Sequence, residues 1–202
     1  MPIIMLMCNN NIKGEKMRKT ATLFLSILTL LASFNVNAED NELNDKKVLV
    51  AYFSATGTTA GVAERLAKAT EGDIFAIIPQ QPYTDADLDW RNKQSRSSVE
   101  MDNVNSRPAI TSKVENMSQY NVIFVGFPIW WYREPSIIDT FMESYDFAGK
   151  TVVPFATSGS SGMGNSGANM QALAPKAKVY KGKRFPSNVS EDELKKWSAE
   201  WL

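Results

Sequence analysis

A three-layer α/β fold, with helices on both faces of a parallel sheet, follows from three features of the sequence. Apolar runs such as Val48–Phe53 and Asn121–Phe127 show no polar alternation, which suits strands covered on both faces. Stretches with helical periodicity alternate with these runs. The connections from strand to helix are short, and in such sheets ligands bind beyond the carboxyl ends of the strands, where strand order reverses.

The segment before the first strand is not part of that fold. Met17-Arg-Lys-Thr precedes an apolar run from Ala21 to Phe34 and then Val36-Asn37-Ala38, a small-residue cleavage pattern. This is the pattern of a secretory signal peptide cut after Ala38, with Met17 as the expected start, and the run is too short to span a membrane comfortably. Residues 1–38 are therefore expected to be an N-terminal extension and signal peptide, and residues 46–202 a single domain. The expected location is secreted or periplasmic, with no stable membrane anchor after cleavage. The leader has no twin-arginine pair, which points to export of an unfolded chain.

Composition narrows the chemistry. Removing residues 1–38 takes four of the 22 basic and one of the 22 acidic residues, leaving 18 against 21, a net charge of −3. That balance gives no support to nucleic-acid binding. Cys8, the only cysteine, lies in the leader, and the sequence has no histidine. Disulfides, thiol catalysis and His-dependent triads are thereby excluded from the domain, and no metal site is expected. Such a domain is expected to borrow its chemistry from a cofactor.

After the first strand, Val62, Ala63, Leu66 and Ala67 repeat at helical spacing. The loop Ser54 to Thr59 thus opens a helix N-terminus, whose unpaired N–H groups and dipole favour a bound phosphate. Gly57 lets the backbone approach closely, and the hydroxyls of Ser54, Thr56, Thr58 and Thr59 add donors. The loop has neither the Gly-Lys-Ser/Thr of a P-loop nor Gly-x-Gly-x-x-Gly, and an ordinary βα turn explains the hexapeptide about as well.

Asp73–Ile78 is a second short strand, closed by Pro79. Residues 80–107 break the rhythm. Thr84 and Asp87 form an acceptable helix start there, and the stretch reads as a helix and loop over one edge of the site, or as a solvated face. Asn121–Phe127 is a central third strand ending in Pro128-Ile129-Trp130-Trp131. Pro135 suits the first turn of a helix whose buried stripe is Ile137, Ile138, Phe141, Met142 and Tyr145. The fourth strand, Thr151–Ala156, contains Pro154, which predicts a position near an edge or a bulge. A polar loop from Thr157 leads into a helix over about 167–173, and Ala177–Tyr180 is a fifth short strand. Ser190-Glu-Asp-Glu193 is a capping box for a last helix faced by Leu194, Trp197 and Trp201.

Three loops then meet at one end of the sheet. The first suits phosphate, the second offers indole faces and edges, and the third offers closely spaced amides and hydroxyls. A phosphorylated planar aromatic cofactor fits all three.

Ser54-Ala-Thr-Gly-Thr-Thr59, Gly126-Phe-Pro-Ile-Trp-Trp131 and Phe155-Ala-Thr-Ser-Gly-Ser-Ser-Gly162 resemble the flavodoxin family, especially its short-chain branch with a tryptophan in the second loop. The similarity runs from about Lys47 to Leu202. It implies a flavodoxin-like fold with a five-stranded parallel sheet of order 2-1-3-4-5, and FMN as cofactor. By that resemblance Ser54, Thr56, Gly57, Thr58 and Thr59 cradle the phosphate. Pro128, Ile129, Trp130 and Trp131, with Thr157, Ser158, Gly159, Ser160 and Gly162, hold the isoalloxazine. No catalytic residue is implied.

The implied function is electron transfer, or FMN-dependent reduction of a small acceptor, outside the cytoplasm. Its partner is a redox protein or a small-molecule electron acceptor. A one-electron carrier and an NAD(P)H- or quinone-type oxidoreductase both fit, and the alternatives are a non-catalytic flavin-binding or protein-interaction module and an exported α/β domain whose site is vestigial. The loop after strand four lacks a stacking aromatic, so that role falls to Trp130, Trp131 or Tyr83, or goes unfilled. The second loop has no glycine, and a positive φ is costly for residues with side chains. A stiff loop is therefore expected, with a flavin passing directly between its oxidised and two-electron-reduced forms.

Overall fold

The computed structural model describes residues 47–202, in which β1 (Val48–Tyr52), α1 (Thr58–Thr70) and β2 (Asp73–Ala76) form the first βαβ unit. The predicted leader, its cleavage site and most of the spacer lie outside the described residues. After an excursion that carries α2 (Arg96–Asp102), the chain enters β3 (Val122–Pro128), α3 (Ser136–Glu143) and β4 (Thr151–Thr157). It continues through α4 (Ser166–Leu173), β5 (Lys178–Val179), β6 (Lys183–Phe185) and α5 (Glu191–Ser198). The strands are parallel in the order β2-β1-β3-β4-β5, the order that the resemblance implied. Strand order reverses at β1 and β3, which places the expected crevice at their carboxyl ends.

The sheet is buried on both faces because its strands alternate between two apolar layers. Val48, Val50, Val122, Phe124, Val153 and Phe155 pack with Val62, Ala63 and Leu66 of α1 and Leu194 of α5. Leu49, Ala51, Ile123, Val125 and Val152 pack with Ile137, Ile138, Phe141 and Met142 of α3 and Met170 of α4. Ser190 caps α5 as predicted, its Oγ accepting from the Glu193 N–H at 3.2 Å, with Val189 and Leu194 buried beside it.

Two features refine the expectations. Pro154 lies in β4, one strand in from the edge and so near it, as expected. Its missing N–H interrupts the neighbouring strand. Lys178 and Tyr180 donate to the carbonyls of Lys150 and Val152, both at 2.9 Å, so alternate residues of β4 address the outer edge. Pro154 is next in that series, and opposite it the edge breaks into β5 and β6. Gly182 fills the break at φ +77, where an added Cβ would sit 2.2 Å from the Pro154 carbonyl oxygen.

The second case is Thr84 and Asp87, which make reciprocal capping hydrogen bonds but start only a single turn, the helix of the excursion forming later as α2. Asp89 and Asn92 explain the stop. Their side chains accept from the N–H groups of Arg91 and Gln94 and draw the backbone into local turns.

Candidate functional site

The carboxyl ends of β1, β3 and β4 are tied together by a few buried hydrogen bonds. The Phe53 N–H donates to the Gly126 carbonyl at 2.9 Å, and the Ile129 N–H to the Thr157 carbonyl at 3.0 Å. Thr59 at the start of α1 meets Thr157 at the end of β4, hydroxyl to hydroxyl, at 2.9 Å in a buried contact. These bonds bring the three predicted loops to one place.

In the first loop, Gly57 precedes α1 at φ +84, and an added Cβ there would meet open space. No side chain caps α1 and no acidic residue occupies its first turn. Its leading N–H groups and the positive end of its dipole therefore remain available to an anion. The Ser54 hydroxyl beside it is buried without a hydrogen-bond partner. A buried unpaired hydroxyl is unfavourable, so its presence points to a partner that the protein does not itself supply. Thr56 and Thr58 are exposed and their hydroxyls lie 3.4 Å apart. Thr59 is buried against Thr157, which ties the loop to β4 rather than turning its hydroxyl outward.

The second loop is a tight turn. Trp130 and Arg133 exchange both backbone hydrogen bonds, at 2.9 and 3.0 Å, and Trp131 and Tyr132 between them have φ +43 and +66. Positive φ at both central positions is the signature of a type I′ turn, which ordinarily carries Asn or Gly. Here two aromatic residues occupy it, at roughly 1–2 kcal/mol of strain each. The loop without glycine thus reaches a left-handed conformation all the same. Such strain persists only where the surroundings fix it.

Gly164 supplies one restraint. At φ +51 its missing Cβ would lie 1.9 Å from the Tyr132 carbonyl oxygen, so only glycine fits against the turn. Trp131 and Tyr132 are 42% and 75% exposed and stand free at the rim. Trp130 is directed inward, edge-on to Phe53 at 5.6 Å and to Tyr83 at 5.3 Å.

Tyr83 brings the excursion into the wall of the site. Its ring also meets Phe53 at 5.6 Å, and the Arg96 guanidinium lies over it at 3.9 Å. Its hydroxyl donates to Glu100 at 2.5 Å, and burial, with the nearby Glu100 carboxylate, holds the phenol well above its ordinary range. In the third loop, Gly159 and Gly162 face open space, and Ser158 accepts from the Ser160 N–H at 3.2 Å. The Ser158 carbonyl accepts from Arg184 of β6 at 3.1 Å.

The largest feature absent from the sequence reading lies beneath the second loop. Arg133 turns its guanidinium inward to the fully buried Glu134, 2.9 Å away, and to Asp139. Glu134 also accepts from Asn169 of α4 at 3.0 Å, and its own N–H donates to Ser166 at 3.0 Å. Arg133 Nε, Glu134 Oε2 and Asp139 Oδ1 are buried without partners. Burial, reinforced by the Glu134 carboxylate and opposed by Arg133, pushes the Asp139 carboxyl up to about 7. Asp139 interrupts the apolar stripe of α3, and that is the one signal in the sequence for the cluster.

A cavity of about 510 Å³ at the other end of the sheet is lined by Lys47, Thr70, Glu71, Asp73 and Lys195, among others. None of these five residues carries an unpartnered buried polar atom, and Lys47 and Asp73 pair at 3.4 Å with half-exposed side chains. The convergence of unsatisfied groups favours the carboxyl end.

The sequence model of the family described as Flavodoxin matches residues 47–201. A candidate flavoprotein from Bacteroides eggerthii is 52% identical, with a TM-score of 0.72 over 76% of this chain and 96% of its own. A second, from Bacteroides uniformis, is 51% identical, with a TM-score of 0.72 over 76% of this chain and 98% of its own. A flavoprotein from Lactobacillus acidophilus, solved in complex with FMN, shares the fold at 21% identity and a TM-score of 0.56, over 76% of this chain and 99% of its own. No curated protein matches. The match over nearly all the described residues, together with the sheet order and the three loops, makes this chain a member of the flavodoxin family.

Proposed function

We propose that this protein binds FMN at the carboxyl ends of β1, β3 and β4 and acts as a redox protein outside the cytoplasm. The observation that carries the reading is the unpartnered Ser54 hydroxyl beside the uncapped start of α1. Those groups are donors arranged for a phosphate dianion, and Gly57 leaves room for it. Ser54, Thr56, Gly57 and Thr58 would hold the phosphate, with Thr59 holding the loop against Thr157. Pro128, Ile129, Trp130 and Trp131 on one side, and Thr157, Ser158, Gly159, Ser160 and Gly162 on the other, would frame the ring. Tyr132 at the rim joins Trp131 as a stacking surface, because Trp130 is already engaged by Phe53 and Tyr83. The relative solved with FMN supports the choice of cofactor.

When bound, FMN supplies the electron or hydride chemistry. The chain's residues position the phosphate and ring and leave Trp131 and Tyr132 accessible to a redox partner protein or a small-molecule acceptor. A turn closed by both backbone hydrogen bonds and lacking glycine is less free to flip a peptide, and that favours two-electron exchange of the reductase type over single-electron shuttling. Cleavage after Ala38 and acquisition of FMN after export belong to the same proposal. An unfolded chain crossing a membrane has no site to carry a cofactor. N-terminal sequencing of protein recovered from the culture or periplasm tests the export, with Glu39 the expected first residue and an intact leader the contrary result.

A further inference from the structure

Arg133 is the residue through which the strained turn is held. Its N–H and carbonyl make both hydrogen bonds of the turn to Trp130, and its side chain anchors that backbone to the interior. The anchor has an imbalance. One guanidinium faces two carboxylates, Glu134 at 0% exposure and Asp139 at 2%. The other groups that face Asp139 do not restore balance. Arg107, from the end of the excursion, approaches Asp139 only to 3.9 Å and is engaged by both oxygens of Glu143, at 2.7 and 2.8 Å. Asn169 and Ser166, from α4, are uncharged and address Glu134. Glu134 Oε2 and Asp139 Oδ1 are left buried and unpartnered. A proton on Asp139 removes the excess charge and supplies one more hydrogen-bond donor.

We infer that Glu134 and Asp139 are positioning residues for the candidate flavin site: with Asp139 protonated they hold Arg133, and through it the Trp130–Arg133 turn, in the left-handed form, and loss of that proton loosens the turn. The inference rests on the proposed flavin site for its functional meaning, but the turn itself is made of this chain's own hydrogen bonds. Ligand binding at the rim then becomes sensitive to pH through a group that does not touch the ligand. The carboxyl of Asp139, pushed up to about 7 by burial, places the change near neutrality.

The test begins with the full mature chain free of flavin, followed by NMR of the Trp131 indole and the Tyr132 amide from pH 5 to 9. Both signals are expected to follow one titration with a midpoint near 7. Asp139→Asn keeps the site neutral and should leave both signals fixed at their low-pH positions. Glu134→Gln should shift the midpoint downward, because removing one charge lets the other carboxyl ionise beside Arg133. Thermal melts check that both variants are folded. Riboflavin binding, which has no phosphate to titrate, should weaken about tenfold between pH 6 and 8.5 in the wild type and stay flat in Asp139→Asn. Signals that do not move in the wild type, or that titrate unchanged in both variants, would overturn the inference. A protein that binds no flavin but shows the expected titration would refute the cofactor reading and leave the positioning role standing.

Discussion

Replacing Ser54 by alanine should move two properties in opposite directions. The Ser54 hydroxyl is buried and has no partner within the protein. An unsatisfied buried hydroxyl costs about 1–3 kcal/mol, and alanine removes the polar atom while opening almost no space. The flavin-free variant should therefore be at least as stable as the wild type and gain up to about 2 kcal/mol. For a domain of this size that is roughly 4–8 °C in Tm. FMN should bind less well, because a hydrogen bond to a charged group is worth about 1.5–3 kcal/mol, or roughly 10–150-fold in Kd. Riboflavin affinity should change by less than about twofold, since no phosphate is involved. The assay is calorimetry of the flavin-free protein, with titration of FMN and riboflavin followed by flavin fluorescence. A variant that loses stability, or that weakens both ligands equally, would refute the assignment of Ser54 to the phosphate.

Gly164→Ala should destabilise the protein by at least about 2–3 kcal/mol in a denaturant melt, since its Cβ would fall 1.9 Å from the Tyr132 carbonyl oxygen and its φ is +51. Asp139 makes a pH-dependent contribution with a definite sign. Its folded-state carboxyl is raised to about 7, so its stabilisation is complete below about pH 4 and is lost as pH rises through 7. Asp73, Asp87 and Glu143 are lowered by their hydrogen-bond partners, so their contributions are present above about pH 4 and are lost only in stronger acid. Between pH 5 and 8 wild-type stability should thus fall by on the order of 1–3 kcal/mol and Asp139→Asn should not, as read from thermal melts. Stepwise photoreduction of the FMN-loaded protein should show little of the long-wavelength absorbance of one-electron-reduced flavin, and a large persistent band would return the protein to the carrier class.

Much of the fold was legible because burial on both faces leaves a simple mark. Val48–Phe53 and Val122–Phe127 carry no charged or amide side chain, and the helices between strands repeat at the right period. The meeting of the three loops at one end of the sheet was legible for the same reason, since each follows such a run. The edge was not. Lys183-Arg184-Phe185 is short and charged, and it pairs with β4 only because Pro154 breaks the neighbouring strand. In the excursion, Thr84 and Asp87 carry a true capping pattern, but the Asx turns at Asp89 and Asn92 override it. Arg133-Glu134 reads as a surface pair in one dimension, and only the packing of α3 and α4 buries it. The left-handed turn at Trp131 and Tyr132 runs against backbone preference, which is why local rules argued against the positive φ that both residues adopt.

The central claim is FMN binding at the meeting point of the three loops, and titration of the flavin-free mature chain with FMN tests it most directly. The expected result is saturation at one FMN per chain, with quenched flavin fluorescence, quenched tryptophan emission and a perturbed flavin spectrum, and much weaker binding of riboflavin. A protein that leaves the fluorescence and spectrum of added FMN unchanged at tens of micromolar would contradict the account.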